Sequence, residues 1–351
     1  MVGMIATLVI YIITALSCFG GLIPPEITPL GCVLTIGMPV MLTISAIITV
    51  AWFCFGHWII ASVGVVMFLA CASPIKMWFP MGHEEQPTPG AATFTLLTWN
   101  ILHGDDLQKT DYDGSRTMET ILRLDPDIVC LQEMQGFSAE KMRKFSQASA
   151  DSILARYPYQ LGLGTTYDIC ILSKYPLRHI YFGSVNKFTL AEYCTVKLPG
   201  GVIALANVHL PSFGLDEDEK NIFSTEGTLD NKEDISHHVF NKLKRAFPVR
   251  AEAARKVTRG FEGLAMPVVV VGDFNDVPAS WTYRMFLKAG FKDAYCATNF
   301  FPTYTFYPHL FYFHLDQVLY RGNIRPLSVE RINVRTSDHL GLLSTFEIPP
   351  L

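Results

Sequence analysis

"VVVVGDFNDVPAS", residues 268–280, opens as a β-branched run and turns abruptly to acid and amide. Val268 to Val271 suits a strand buried on both faces. Gly272, Asp273, Phe274, Asn275 and Asp276 follow, and Pro278 closes the segment. Gly, Asp, Asn and Pro are turn formers. A turn alone does not explain why a core strand delivers two carboxylates and an amide at its tip.

The same arrangement recurs along the chain. Asn100 follows "LLTW", Glu133 follows "VCLQ" and His209 follows "ALANV". Asp316 opens "DQVLY", and Ser337, Asp338 and His339 precede the final strand, "LGLLSTFEI". Any one of these is ordinary as a cap or turn residue. Together, the carboxylates, amides and histidines predict one polar mouth where strand ends converge. Carboxylate and amide oxygens without nearby thiols suit Mg²⁺ or Mn²⁺. Such a cation beside a histidine and a second carboxylate suits hydrolysis of a phosphate ester. The metal neutralises phosphate oxygens, a carboxylate aligns water, and imidazolium and amide donors hold the developing charge.

Outward from these tips, the soluble part alternates strand and helix. Residues 93–101, 127–133, 169–176, 193–199, 202–210, 315–320 and 340–348 read as strands. Residues 117–124, most of 232–262 and a segment near 280–289 read as helices. That pattern predicts an α/β domain with two sheets and helices outside.

"LLTWNI", "DIVCLQEM", "ICILSKYPL", "LANVHLP", "VVVVGDFNDVPAS", "HLDQVLY" and "TSDHLGLL", in this order, resemble the endonuclease/exonuclease/phosphatase (DNase-I-like) superfamily. The resemblance runs from about Ala91 to the C-terminus. It implies a four-layer α/β sandwich of two mostly antiparallel sheets flanked by helices, and a Mg²⁺-dependent phosphoesterase. It also implies roles. Glu133 is the principal metal ligand with Asn100 beside it, and Asp338 holds the metal or its water. Asp273 orients or deprotonates the attacking water, and Asn275 binds a phosphate oxygen. His209 contacts the phosphate or assists the leaving group. His339 holds the scissile phosphate, its ring oriented by Asp316. The chain departs from the family at His314-Leu315-Asp316-Gln317, where Arg-Ile-Asp-Tyr is common, so the contacts around Asp316 are open. Tyr167-Asp168 also stands where a glycine is usual.

The first part of the chain is different. Before Lys76 the only charged side chain is Glu26. Val2 to Ile23 is long enough to cross a bilayer. "PPEITP" (24–29) breaks it, and the charge-free run from Leu30 to Ser73 is interrupted softly at "CFGHW" (54–58). Three spans are expected, about 3–23, 31–53 and 57–74, in a transmembrane region of residues 1–75, with two spans, or a cleaved signal peptide in place of the first, as the rival readings. A Pro- and Gly-rich linker, 76–92, then leads to a catalytic domain, 93–351. The layout resembles a membrane-bound bacterial branch of the superfamily. That resemblance implies an inner or plasma membrane protein whose catalytic domain lies on the outer face, although Lys76 after the third span pulls weakly the other way.

Residues 91–351 hold 27 basic and 29 acidic residues, which gives no net attraction to nucleic acid. The expected partners are a lipid bilayer and a phosphate-ester substrate: nucleic acid, phospholipid or sugar phosphate. No protein partner is evident. The rival from another class is a catalytically silent membrane-bound binding or scaffold protein with the same fold, which has no use for buried, mutually repelling carboxylates. Spans free of charge offer no ion pathway for a transporter. No cysteine pair has metal spacing, and Cys130 and Cys170 are expected as buried thiols. The insert 213–238 reads as an acidic solvated loop or as a lid over the site, and Lys242, Lys244, Arg245, Arg250, Arg255, Lys256 and Arg259 as a solvated basic helix face or as a contact for phosphate-rich substrate or lipid headgroups. The aromatic run 300–315 reads as packing or as an apolar rim.

Overall fold

The computed structural model describes residues 2–104, 114–134, 137–165, 168–186, 189–214, 229–307 and 312–349. The acidic part of the insert, 215–228, lies outside them; Leu229 already begins a helix.

The chain starts with an apolar helical segment. Helix α1 (Val2–Phe19) runs on through a 3₁₀ turn at Gly20–Leu22. Gly3–Leu22 is long and apolar enough to cross a membrane. The next two expected spans are each broken. Helices α2 (Leu30–Ile36) and α3 (Met38–Cys54) meet at 62°, and α4 (Trp58–Ala70) and α5 (Ala72–Trp78) at 66°. The breaks have local causes. Gly37 is followed two residues later by Pro39, in the first turn of α3, and Pro74 has no N–H to give to Ala70. The packing of these helices inverts that of a water-soluble bundle. Trp52 Nε1 donates to Thr7 Oγ1 at 3.0 Å, and the hydroxyl pairs Tyr11–Thr49 and Thr14–Ser45 each lie at 2.7 Å. This ladder joins α1 to antiparallel α3, while Ile5, Ile12, Ile47 and Leu69 face outward.

The linker is laced to the domain that follows. Gly82 N–H donates to Asn299 O, Glu85 N–H donates to Leu327 O, and Arg325 pairs with both Glu85 and Glu347.

Two mixed six-stranded sheets follow. The first is β11–β12–β1–β2–β4–β3, from strands β1 (Ala92–Asn100), β2 (Ile128–Gln132), β3 (Tyr159–Leu161), β4 (Ile169–Ser173), β11 (Arg325–Arg331) and β12 (Leu342–Ile348). The second is β5–β6–β7–β8–β10–β9, from β5 (Leu177–Asn186), β6 (Thr189–Leu198), β7 (Gly201–His209), β8 (Val268–Asp273), β9 (Lys292–Asp293) and β10 (Asp316–Arg321). Among the described residues only β1–β2 and β7–β8 pair in parallel. Helices α6 (Ser115–Leu124), α7 (Ala139–Phe145) and α8 (Gln147–Arg156) cover the first sheet. Helices α9 (Leu229–Arg259) and α10 (Trp281–Lys288) cover the second, and α11 (Ala294–Thr298) packs at its edge.

Strand periodicity then decides where the polar tips point. Leu96, Ile128, Cys130, Leu205, Val269, Val271 and Val318 fill the space between the sheets. Val129, Leu131, Val268 and Val270 face helices instead. Every second residue keeps the inner face, so the same register carries Asn100, Gln132, Asn207, His209, Asp273 and Asp316 into the gap. The apolar core therefore ends in a polar mouth at one end of the sandwich.

Candidate active site

Strand pairing places three of the predicted residues at one level. His209 on β7 and Asp316 on β10 are each the register partner of Asp273 on β8, which lies between them. Gly272 makes this approach possible: its φ is 135°, and a Cβ there would lie 1.9 Å from Val208 O. On the opposite sheet Asn100 pairs with Gln132. The chain then turns at Glu133 with φ 51°, a left-handed conformation that a branchless turn would normally give to glycine.

Asn100 connects the sheets. Its Nδ2 donates to Glu133 Oε1 at 2.9 Å and to Asp273 Oδ2 at 3.1 Å, while its Oδ1 accepts from Leu102 N–H at 3.2 Å. Glu133, His209 and Asp273 offer ligand atoms within 4.8 Å of one another, and so do Asp273, Asp316 and His339. His209 Nε2 lies 3.8 Å from Glu133 and 3.9 Å from Asp273. Asn275, at φ 50°, caps the loop: its backbone N–H donates to Asp273 Oδ1 at 2.8 Å, and its Nδ2 donates to Leu210 O at 3.0 Å. Asp338 belongs to neither close group of ligand atoms; its Oδ1 lies 3.4 Å from Ser337 Oγ.

His339 is held from every side. Its Nδ1 lies 2.8 Å from Asp316 Oδ2 and its Nε2 3.7 Å from Asp273. Trp99 Nε1 donates to its carbonyl, and its N–H donates to Ser337 Oγ, which itself donates to Asn100 O. Asp316 thus keeps its histidine contact although its neighbours differ from the expected pattern. His314 is buried beside Tyr295, and Gln317 Nε2 donates to His314 O. Burial alone would lower the His339 pKa, but Asp316 and Asp273 carry it well above the ordinary imidazole value. Burial raises the Asp273 carboxyl, against the pull of the His339 charge.

One residue at the mouth was not singled out from sequence, and two of the basic helix stand elsewhere than expected. His103 Nε2 reaches to 3.8 Å from Glu133 Oε2. Arg250, expected on a solvated face, is fully buried. Its Nε donates to Pro211 O at 2.8 Å, its Nη1 lies 3.7 Å from Asp276, and its guanidinium covers the Phe213 ring at 4.1 Å. Helical spacing gives the signal for it, because Phe247, Ala251, Ala254 and Val257 form the buried stripe on which position 250 falls. Arg255 leaves the expected solvated face too, pairing with Glu26.

Gln132 and Asn207 form a polar collar between the apolar core and the mouth. Gln132 Nε2 donates to Asn207 Oδ1 at 2.6 Å, and Asn207 Nδ2 donates to Leu131 O and Cys170 O at 2.9 Å each. One follows from its place before Glu133, the other from its place two before His209. Asn207→Leu orphans these buried groups, at about 1–3 kcal/mol each. Chemical denaturation is expected to show that loss, with turnover falling as Glu133 and His209 lose their tie. Val202→Thr, at an exposed position on the same strand, leaves both unchanged.

A family model described as the Endonuclease/Exonuclease/phosphatase family matches residues 97–339, an interval that holds every candidate residue from Asn100 to His339. A search of the curated proteins finds no match. Among solved structures, the endonuclease/exonuclease/phosphatase from Bacteroides vulgatus is similar with a TM-score of 0.52 at 19% identity, covering 74% of this chain and 100% of that one. The endonuclease/exonuclease/phosphatase from Beutenbergia cavernae gives 0.51 at 16% identity, covering 73% and 72%. D. rerio TDP2 complexed with single strand DNA product gives 0.49 at 15% identity, covering 73% and 99%. At these identities the first two establish the fold.

Proposed function

The chain belongs to the endonuclease/exonuclease/phosphatase family, and from that premise we propose that it is a membrane-anchored hydrolase that cuts a phosphoric ester bond at the mouth between its sheets. The observation that carries this reading is the level shared by His209, Asp273 and Asp316 on three neighbouring strands, with Asn100 joining Asp273 to Glu133.

The donor set fits a hard divalent cation. Glu133, His209 and Asp273 present only oxygen and nitrogen, and among the described residues no cysteine joins the group and Asp316 Oδ1 is buried without a partner. Glu133 would hold the ion, with Asn100 beside it and Asp338 at the rim. When bound, Mg²⁺ or Mn²⁺ would supply charge neutralisation for the phosphate oxygens and the leaving oxyanion. The protein groups divide the remaining work. Asp273, fixed by Asn100 and the Asn275 N–H, aligns water or takes its proton. His339, as imidazolium oriented by Asp316, holds the scissile phosphate. Asn275 would turn one Nδ2 hydrogen from Asp273 Oδ2, 3.2 Å away, to a phosphate oxygen, and His209 serves the phosphate or the leaving group.

Phospholipid or sugar phosphodiesters suit this chain better than nucleic acid, since the near balance of charge in residues 91–351 provides little counterion release. The anchor is residues 1–75 as three spans, two of them bent, joined through 76–92 to the catalytic domain at 93–351. Its support is the bundle with hydroxyls inside and bare apolar side chains outside. In this reading the domain lies on the outer face of an inner or plasma membrane.

The test uses the full chain in detergent, stripped of metal. Hydrolysis of bis(4-nitrophenyl) phosphate is expected to be absent after chelation and to return with Mg²⁺ or Mn²⁺. Equal turnover in chelator would contradict the proposal.

A further inference from the structure

We propose that the N-terminal helices are part of the catalytic apparatus: the Gly20–Gly21 turn at the end of α1 clamps the Asn275–Ser280 loop and so positions Asp273 and Asn275. This rests on the phosphoesterase reading above.

The two regions meet backbone to backbone. A Cβ on Gly21 would lie 2.0 Å from Ala279 O, so only glycine permits this approach. Arg284 bridges the same point, donating from Nε to Ala279 O at 2.8 Å and from Nη2 to Cys18 O at 3.3 Å. A few residues on, Glu26 pairs with Arg255 at 2.5 Å, and the Arg255 guanidinium covers the Trp281 ring that starts α10. Cys18, Met38 and Trp78 of the N-terminal helices share one apolar cluster with Val277, Ala279 and Leu315. Leu315 immediately precedes Asp316. Phe306 packs on that cluster and lies 5.0 Å from the His339 ring.

The clamped loop is one that needs clamping. Asn275 and Ala279 hold φ of 50° and 64°, which cost a side-chain-bearing residue energy and persist only where surroundings enforce them. The sheet enforces Asn275 through Asp273 and Leu210 O. At Ala279 the surroundings are Arg284 and the N-terminal turn. A tether that only kept the domain at a membrane would have no need of this contact. Gly21 and Arg284 are positioning residues: they touch neither substrate nor metal and act through the loop.

The experiment compares Gly21→Ala with Gly3→Ala in the full chain in detergent. Gly3 sits on the same helix with open space around its Cα. Three quantities are read: hydrogen exchange of residues 274–280, kcat and KM for bis(4-nitrophenyl) phosphate with Mg²⁺, and Mn²⁺ affinity by electron paramagnetic resonance. Gly21→Ala is expected to speed exchange in 274–280 and to lower kcat about 10- to 100-fold. KM and Mn²⁺ affinity should stay within about twofold, and Gly3→Ala should match wild type. If Gly21→Ala does not fold, Arg284→Met, which keeps an apolar stem but loses both bridges, must show the same pattern, with partial rescue by Arg284→Lys. Unchanged exchange and kcat in a folded variant would overturn the proposal, as would a rise in KM alone. A wild type with no phosphoester turnover would defeat the phosphoesterase reading, and the catalytic role given to the clamp with it; the exchange measurement would still decide whether the turn holds the loop.

Discussion

Asp273→Asn is expected to leave a folded chain whose turnover falls about 10²- to 10⁴-fold, the range a positioned base contributes. The side chain is 1% exposed, so nothing replaces it from solvent. Its Oδ2 accepts from Asn100 Nδ2 and Asn275 Nδ2, and its Oδ1 accepts from the Asn275 N–H. The substituted amide satisfies one of these sides and sets its NH₂ against a donor on the other. That mismatch costs about 1–3 kcal/mol, partly offset by the charge no longer being buried. A thermal melt should therefore show a modest shift while the rate collapses. A variant that kept most of the wild-type rate would remove Asp273 from the reaction.

The second large effect is expected at His339. His339→Ala removes the donor proposed to hold the phosphate, a loss of about 10²- to 10³-fold in kcat. It also leaves Asp316 and Asp273 buried without their shared counter-charge, where breaking a buried pair costs about 3–5 kcal/mol. His339→Gln separates the two contributions, because it keeps a neutral donor and loses the charge. The pH profile follows from the same geometry. Below the raised Asp273 pKa the carboxyl is protonated and cannot take a proton, so kcat/KM falls on an acid limb above the ordinary carboxylate range. Above the raised His339 pKa the ring is neutral, so an alkaline limb lies above the ordinary imidazole range. Stability follows His339 in the same sense. Its folded pKa exceeds the unfolded one, so its contribution is complete below the ordinary imidazole value and is lost as pH rises through the folded value. An alkaline limb that stays put in His339→Gln would contradict the assignment.

The sandwich was legible because strand identity and strand ends share one signal. A run such as Val268–Val271 is apolar on both faces only if helices cover one and a second sheet the other, and the structure has both. The candidate residues were legible as strand tips, and their convergence follows from period-two geometry once register is known. Register itself is not in the sequence, so the pairing of Asp273 with both His209 and Asp316 could only be read from the fold. Gln132 and Asn207 escaped notice because they look like ordinary strand residues until the facing sheet supplies the partner. Arg250 and Arg255 were hidden by a face rich in cations, although the buried stripe of α9 had room for only one of them. The N-terminal contact was least legible. Two adjacent glycines at a helix end read as a C-terminal stop, and nothing local reveals that Ala279 would press against one of them. The bends at Gly37 and Cys71 were signalled by Pro39 and Pro74, but a run of apolar residues twice the length of a span invites a reading as straight helices.

The most direct measurement follows metal-restored hydrolysis of bis(4-nitrophenyl) phosphate by the full chain, with wild type beside Glu133→Gln and Asp273→Asn and Mn²⁺ binding read separately. The predicted result is Mg²⁺-dependent turnover in wild type, weakened Mn²⁺ binding in Glu133→Gln, and near-complete loss of turnover in Asp273→Asn with the cation still bound. Turnover that survives both substitutions, or a folded wild type that binds no divalent cation and cleaves no phosphoester, would contradict it.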